Sequence, residues 1–221
     1  MAEQETKSVV VTKAVHDYAV AHGTPPDAAQ ESLITATQAL GGISRMQIAP
    51  EQGAFMTLLA QLVGARFAVE VGTFTGYSSI CIARGLAPGG KLLCCDVSEE
   101  WTAVAREHWV KAGVDDRIEL VVAPAADTLR ALPPDPPIDF GFIDADKTGY
   151  RTYYDEIAER LRPGGLILVD NVLWSGNVVD DSDQSDDTVA IRAVNDHIVA
   201  DERMEVVMLP IADGLTIVRK R

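Results

Sequence analysis

From residue 66 to residue 170, short apolar runs alternate with segments of helix length, and no other feature of the chain constrains its fold as strongly. The runs are "RFAVEVG", "KLLCCD", "RIELVVA", "IDFGFID" and "GLILVD"; the segments between them include "SEEWTAVAREHWVKAG" and "YRTYYDEIAERLRPGG". Apolar, β-branched runs of this length suit strands covered on both faces, and their alternation with helices predicts βαβ units and a parallel sheet. The tail differs. There "MEVVMLPI" and "LTIVRK" flank "ADG", and the Asp213-Gly214 pair predicts a tight antiparallel hairpin. Upstream, residues 9–22 and 27–41 carry helical spacing, separated by "GTPPD" and closed by Gly41 and Gly42. They read as an N-terminal helical layer, followed by a helix from about Pro50 to Val63 that leads into the first strand.

Composition sets the bounds. With 221 residues, 47% of them hydrophobic, the chain has the material for one large α/β domain. Nineteen basic against thirty-three acidic residues give a formal charge of −14, which disfavours nucleic acid and anionic membrane surfaces as partners. No stretch approaches the roughly 18 uninterrupted apolar residues of a membrane span, and "MAEQETKSVV" lacks the basic-then-apolar order of a signal peptide, so a cytoplasmic location is expected. The three cysteines, Cys81, Cys94 and Cys95, show no metal spacing and read as small reduced core residues.

In doubly wound sheets, ligands bind beyond the carboxyl ends of the strands, near the point where strand order reverses. The strand-ending residues here are Glu70 with Gly72, Asp96, Asp144, and Asp170 with Asn171. "EVGTFTGYSS" is a glycine loop between strand and helix, where Gly72 and Gly76 permit a tight turn and close backbone approach to a ligand. It is not the G-x-G-x-x-G dinucleotide fingerprint, because "GTFTG" separates its glycines by three residues. Asp96 ends the next strand, where a carboxylate can accept both hydroxyl hydrogens of a ribose. A nucleoside-bearing ligand without a pyrophosphate fits both features. Asp144, Asp170 and Asn171 form a second set, of hard oxygen donors that suit Mg²⁺ or Ca²⁺ rather than zinc or copper. Lys147 follows directly behind, where a nearby cation favours the neutral amine, a useful base.

"MQIAPEQG", "EVGTFTGYSS", "KAGVDDRIEL", "FIDADKTGYRTYY", "PGGLILVDNVLWSGNV" and "ADGLTIVRK" occur in this order. Over roughly residues 40–221 the chain thereby resembles the cation-dependent class I O-methyltransferases, the caffeoyl-CoA O-methyltransferase-like family that includes catechol O-methyltransferases. The resemblance implies a Rossmann-like, doubly wound, mostly parallel seven-stranded sheet with an antiparallel C-terminal strand and helices on both faces. It implies S-adenosylmethionine as methyl donor, Mg²⁺ (or Mn²⁺ or Ca²⁺) as the ion, and a homodimer. One methyltransferase domain would span residues 1–221, with the helices of about residues 1–45 as a lid or dimer-contact layer.

Matched by position, the resemblance makes Asp144, Asp170 and Asn171 the metal ligands and Lys147 the catalytic lysine. Glu70, Gly72, Ser78, Asp96 and Ala125 match the donor-binding pattern, with Met46 and Ile48 supplying backbone contacts and Asp144 touching donor and metal alike. Trp174 matches an aromatic at the border of the acceptor pocket. The N-terminal helices and the acidic loop 180–187 depart from the family's pattern. The expected reaction is methylation of one hydroxyl of a vicinal dihydroxy aromatic, such as a catechol or caffeoyl group. Asp146 is left as a surface or supporting acid. Two alternatives are methylation of a hydroxylated transfer RNA base, which would need a basic patch from Arg45, Lys111 and Arg117, and a nucleotide- or NAD-binding protein, which the glycine spacing and the metal set disfavour.

Overall fold

The computed structural model describes residues 9–221; residues 1–8, which carry the start of the N-terminal layer and most of the stretch weighed as a signal peptide, lie outside the described residues. Strands β1 (Phe67–Val71), β2 (Lys91–Asp96), β3 (Ile118–Val122), β4 (Ile138–Ile143), β5 (Leu161–Asp170), β6 (Met204–Leu209) and β7 (Leu215–Lys220) form one seven-stranded sheet in the order β3-β2-β1-β4-β5-β7-β6. The first five pair in parallel, while β7 runs antiparallel to both β5 and β6. Strand order reverses between β1 and β4, so a crevice opens at their carboxyl ends.

Helices cover both faces. Along β1 the side chains alternate: Ala68 packs with α2 (Ala28–Gln38), α3 (Pro50–Val63), α4 (Tyr77–Gly85) and α5 (Glu99–Ala112), while Val69 and Val71 pack with α6 (Ala125–Ala131), α7 (Tyr150–Arg160) and α8 (Asp186–Val199). The helix boundaries follow local chemistry. Asp27 and Gln30 form a reciprocal capping box at the start of α2, and Pro50 occupies the first turn of α3, which ends on Gly64 in the left-handed region. At the amino end of the sheet, the Asp139 carboxylate of β4 accepts hydrogen bonds from Arg66 N (2.7 Å), Phe67 N (2.8 Å) and the Arg162 guanidinium, tying three strands together.

Several boundaries differ from the sequence reading. The first helix, α1 (Lys13–Ala21), starts only after Thr12, whose hydroxyl caps it, and it buries no side chain. By contrast α2 is part of the core: Leu33 is fully buried, and Thr37 shares a 2.8 Å hydrogen bond with Thr75 of the glycine loop. Strand β5 begins at Leu161, before the glycines, because Leu161 pairs with Ile138 ahead of a bulge that absorbs Pro163 and Gly164. The acidic loop is shorter than expected, since Asp186 and Asp187 enter the first turn of α8, where carboxylates complement the helix dipole. The terminal hairpin forms, but its connection runs from Pro210 to Gly214 rather than closing on Asp213-Gly214 alone. All three cysteines are free and buried. Among the described residues no helix is long and apolar enough to cross a membrane.

Candidate active site

A cavity of about 1270 Å³ occupies the crevice beyond β1, β2, β4 and β5. One wall is the loop that follows β1. Gly72 has φ +90°, and a Cβ there would stand 1.7 Å from the carbonyl oxygen of Asp144, so only glycine lets β1 and β4 run out side by side. Its amide donates to the Cys95 carbonyl at 2.9 Å, and the amide of Asp144 donates to Val71 O at 2.8 Å. The sheet ladder therefore continues right up to the cavity.

Asp96 closes this loop. Its Oδ2 accepts from the amides of Thr73 (2.9 Å) and Phe74 (2.8 Å), and its Oδ1 accepts from Ser98 N (2.8 Å). A carboxylate offers about four lone-pair sites, so with three bonds accepted one site remains, on Oδ1. Met46, Ile48, Gly72, Ser78, Asp96, Ala125 and Asp144 all line the cavity. Glu70 does not. It is fully buried behind the loop on the α4 face, where it accepts from the Ser79 hydroxyl and from Cys94 Sγ (3.2 Å), and burial pushes its carboxyl up to about 7. Glu70 thus stands one layer behind the residues that line the cavity and supports the helix start from beneath.

The other end of the cavity holds the oxygen cluster. Lys147, only 9% exposed, donates from Nζ to Asp144 Oδ1 (3.2 Å), Asn171 Oδ1 (2.7 Å) and the Tyr150 hydroxyl (2.5 Å). Asp170 sits beside them, its Oδ1 accepting from Asn171 N and its Oδ2 from Gln52 Nε2, both at 2.7 Å. Burial, and then the neighbouring Asp144 charge, pushes the Asp170 carboxyl up to about 7. Burial raises that of Asp144 too, against the pull of Lys147. The structure therefore brings Asp144, Lys147, Asp170 and Asn171 together. One buried carboxylate, Asp170, one half-buried carboxylate, Asp144, and an amide oxygen beside one ammonium form an electron-rich hard-oxygen set, and that chemistry fits a divalent cation. Trp174 borders the cluster, with Lys147 Nζ 5.5 Å from its ring centroid.

Three contributors escaped the sequence reading: Gln52, Tyr150 and Asp213. Asp146, expected as a surface or supporting acid, lines the cavity and accepts a 2.6 Å bond from the Tyr153 hydroxyl. Asp213 accepts from Ser175 N (2.5 Å) and so braces the Trp174 segment. Tyr150 was the most accessible of the three, because it stands one helical turn behind Lys147; Gln52, beside Glu51 in the polar first turn of a helix, carried no signal of its own.

Residues 25–221 match the O-methyltransferase family. "Probable caffeoyl-CoA O-methyltransferase 1" of Dictyostelium discoideum is 41% identical over 216 residues, covering 96% of this chain and 94% of that protein. Among solved structures, the O-methyltransferase from Bacillus cereus in complex with SAH superposes with a TM-score of 0.87 at 32% identity, covering 94% of this chain and 97% of that one. The O-methyltransferase TomG from Streptomyces achromogenes, involved in tomaymycin synthesis and solved with SAM, gives a TM-score of 0.87 at 28% identity, with 94% and 96% covered.

Proposed function

The chain belongs to the O-methyltransferase family, and from that premise we propose that it transfers the methyl group of S-adenosylmethionine to one hydroxyl of a vicinal dihydroxy aromatic, of catechol or caffeoyl type, with a divalent cation, Mg²⁺ by preference. The observation that carries this reading is the convergence of Asp144 and Asn171 on Lys147, each within hydrogen-bond reach of its Nζ, in the same cavity that Asp96 lines.

The donor would lie along the glycine loop. Asp96 would accept from one ribose hydroxyl at the site left on Oδ1, Ser78 and Ala125 would flank the donor at the starts of α4 and α6, and Met46 and Ile48 would contribute backbone. When bound, the donor supplies an electrophilic sulfonium methyl. Asp144, Asp170 and Asn171 would hold the cation, which when bound supplies positive charge favouring phenolate over phenol. Trp174 would pack against the acceptor ring.

Lys147 would take the acceptor's hydroxyl proton at Nζ. As an ammonium its three donor positions are all used, so it must first be a neutral amine. A neutral amine would keep two donor bonds, to Asp144 and Asn171, and its lone pair, with the bond to Tyr150 given up, would be free to take the acceptor's proton. Ile48 and Trp174 would give the reactants apolar walls to lie against, and holding them in register is an alignment that intramolecular analogues value at about 7–11 kcal/mol. The α1 layer would act as a lid or as a contact for a second copy, since none of its side chains is committed to this fold's interior.

The transfer RNA alternative loses its footing. Lys111 pairs with Glu107 (2.7 Å) and Arg117 donates to Ala83 O (3.3 Å), both near the amino end of β3, whereas Arg45 lies on the cavity wall beyond the opposite ends of the strands. The deciding experiment follows labelled methyl transfer from S-adenosylmethionine to a catechol, to its monohydroxy analogue and to transfer RNA, with Mg²⁺ or with EDTA. Incorporation confined to the catechol with Mg²⁺ is expected. Undiminished turnover of either phenol in EDTA sinks the metal and catechol assignments together.

A further inference from the structure

Gln52 lies on the first turn of α3, with its side chain 1% exposed, and donates from Nε2 to Asp170 Oδ2 at 2.7 Å across 118 residues of sequence. Its backbone is held firmly. Pro50 sets the helix start, and the next residue, Gly53, packs so closely on α4 that a Cβ there would meet Cys81 Sγ at 2.7 Å and Tyr77 Cε1 at 2.8 Å. The Asp170 side chain is therefore gripped from two directions, Oδ1 by its neighbour's amide and Oδ2 by a neutral donor on another element.

We propose that Gln52 is a positioning residue for the divalent cation: it fixes the rotamer of Asp170 and thereby sets the affinity of the oxygen cluster for the ion. This rests on the metal reading above. A neutral amide suits the task. A lysine or arginine at this position would compete with the ion for Asp170, and a glutamate would add repulsion, whereas an amide hydrogen bond stabilises the ionised carboxylate without changing the charge of the site. Outer partners of metal-binding carboxylates typically change metal affinity by about 10–100-fold when removed.

The test uses Gln52→Met, which keeps the volume and loses the donor, and Gln52→Asn, which keeps the amide but falls one methylene short. Mn²⁺ binding is measured by calorimetry on the full chain without donor or acceptor, beside S-adenosylhomocysteine affinity and melting temperature. Both variants should bind Mn²⁺ about 10–100-fold more weakly, retain the affinity for S-adenosylhomocysteine, and recover the wild-type kcat at saturating metal with a raised metal requirement. If wild-type protein binds Mn²⁺ and either folded variant binds it equally well, Gln52 has no such role and the metal reading stands. A melting temperature that drops with Mn²⁺ affinity unchanged assigns it to packing alone. Failure of the wild type to bind Mn²⁺ overturns this inference and the metal reading at once.

Discussion

At the scale of single residues, two glycines with similar backbone conformations carry different loads. Gly72 (φ +90°) faces the Asp144 carbonyl, while Gly89 (φ +76°) has nothing within 4 Å of its missing Cβ. An alanine in the left-handed region costs roughly 1–2 kcal/mol by conformation alone. Gly89→Ala should lose about that much in urea denaturation, and Gly72→Ala a further 1–3 kcal/mol or so from overlap, together with donor affinity. Equal losses would show that the close approach of the loop to β4 is not what requires glycine at 72. Glu70 makes a prediction in pH. Its carboxyl is pushed up to about 7 by burial, from an ordinary 4.5. Between those values the folded protein keeps a proton that the unfolded chain has released, so stability falls as pH rises, by up to about 1.4 kcal/mol per pH unit, and levels off above the folded value. Glu70→Gln should remove that decline. Asp170 titrates in the same sense in both proteins and cancels in the difference, so parallel stability curves would refute the assignment.

At the scale of elements, the terminal hairpin does more than close the sheet. Trp174, Ser175 and Gly176 stand in succession at φ 47°, 55° and 86°, a strained run that must be held from outside. The loop between β6 and β7 holds it: Asp213 O accepts from Leu173 N (3.0 Å), Asp213 Oδ1 from Ser175 N (2.5 Å), and Gly214 O from Val172 N (3.2 Å). Asp213→Ala removes only the carboxylate bond, of a kind worth about 1.5–3 kcal/mol, so the acceptor KM should rise roughly tenfold or more while donor affinity is kept. Trp174→Ala should raise that KM further and alter the melting temperature little. Early melting with normal kinetics in either variant would make the segment structural.

For the whole molecule, the body of the fold and its outer layer should come apart in experiment. The α1 helix buries no side chain and reaches α3 through a 2.8 Å pairing of His16 Nε2 with Glu51 Oε1, at an exposed position. Exposed contacts of this kind contribute little to stability. Removal of residues 1–22 should therefore leave the melting temperature nearly unchanged and show itself in acceptor kinetics or in oligomeric state. A loss of several kcal/mol would mean that the layer belongs to the core. With a formal charge of −14, added salt should strengthen rather than weaken the binding of anionic acceptors, which the protein's field repels.

What the sequence determined by itself was local in origin. Apolar runs of strand length between helical segments announced the parallel sheet, the final pair of runs announced the antiparallel hairpin, and acids at the strand ends marked the crevice, because such signals depend on period and on neighbours in the chain. Asp144, Asp170 and Asn171 were legible for the same reason: a residue at the end of a parallel strand has only one place to be. Tertiary structure alone decided the rest. Glu70 and Val71 are adjacent, and only the packing of α4 on one face of β1 turns Glu70 away from the cavity and buries it beside Ser79 and Cys94. Lys147 became a buried ammonium with three partners because α7 carries Tyr150 beneath it and β5 delivers Asn171. The bond from Gln52 to Asp170 spans 118 residues. No periodicity records such a contact, since it exists only once two elements distant in the chain have excluded the water between them and each polar group must find its partner in the other.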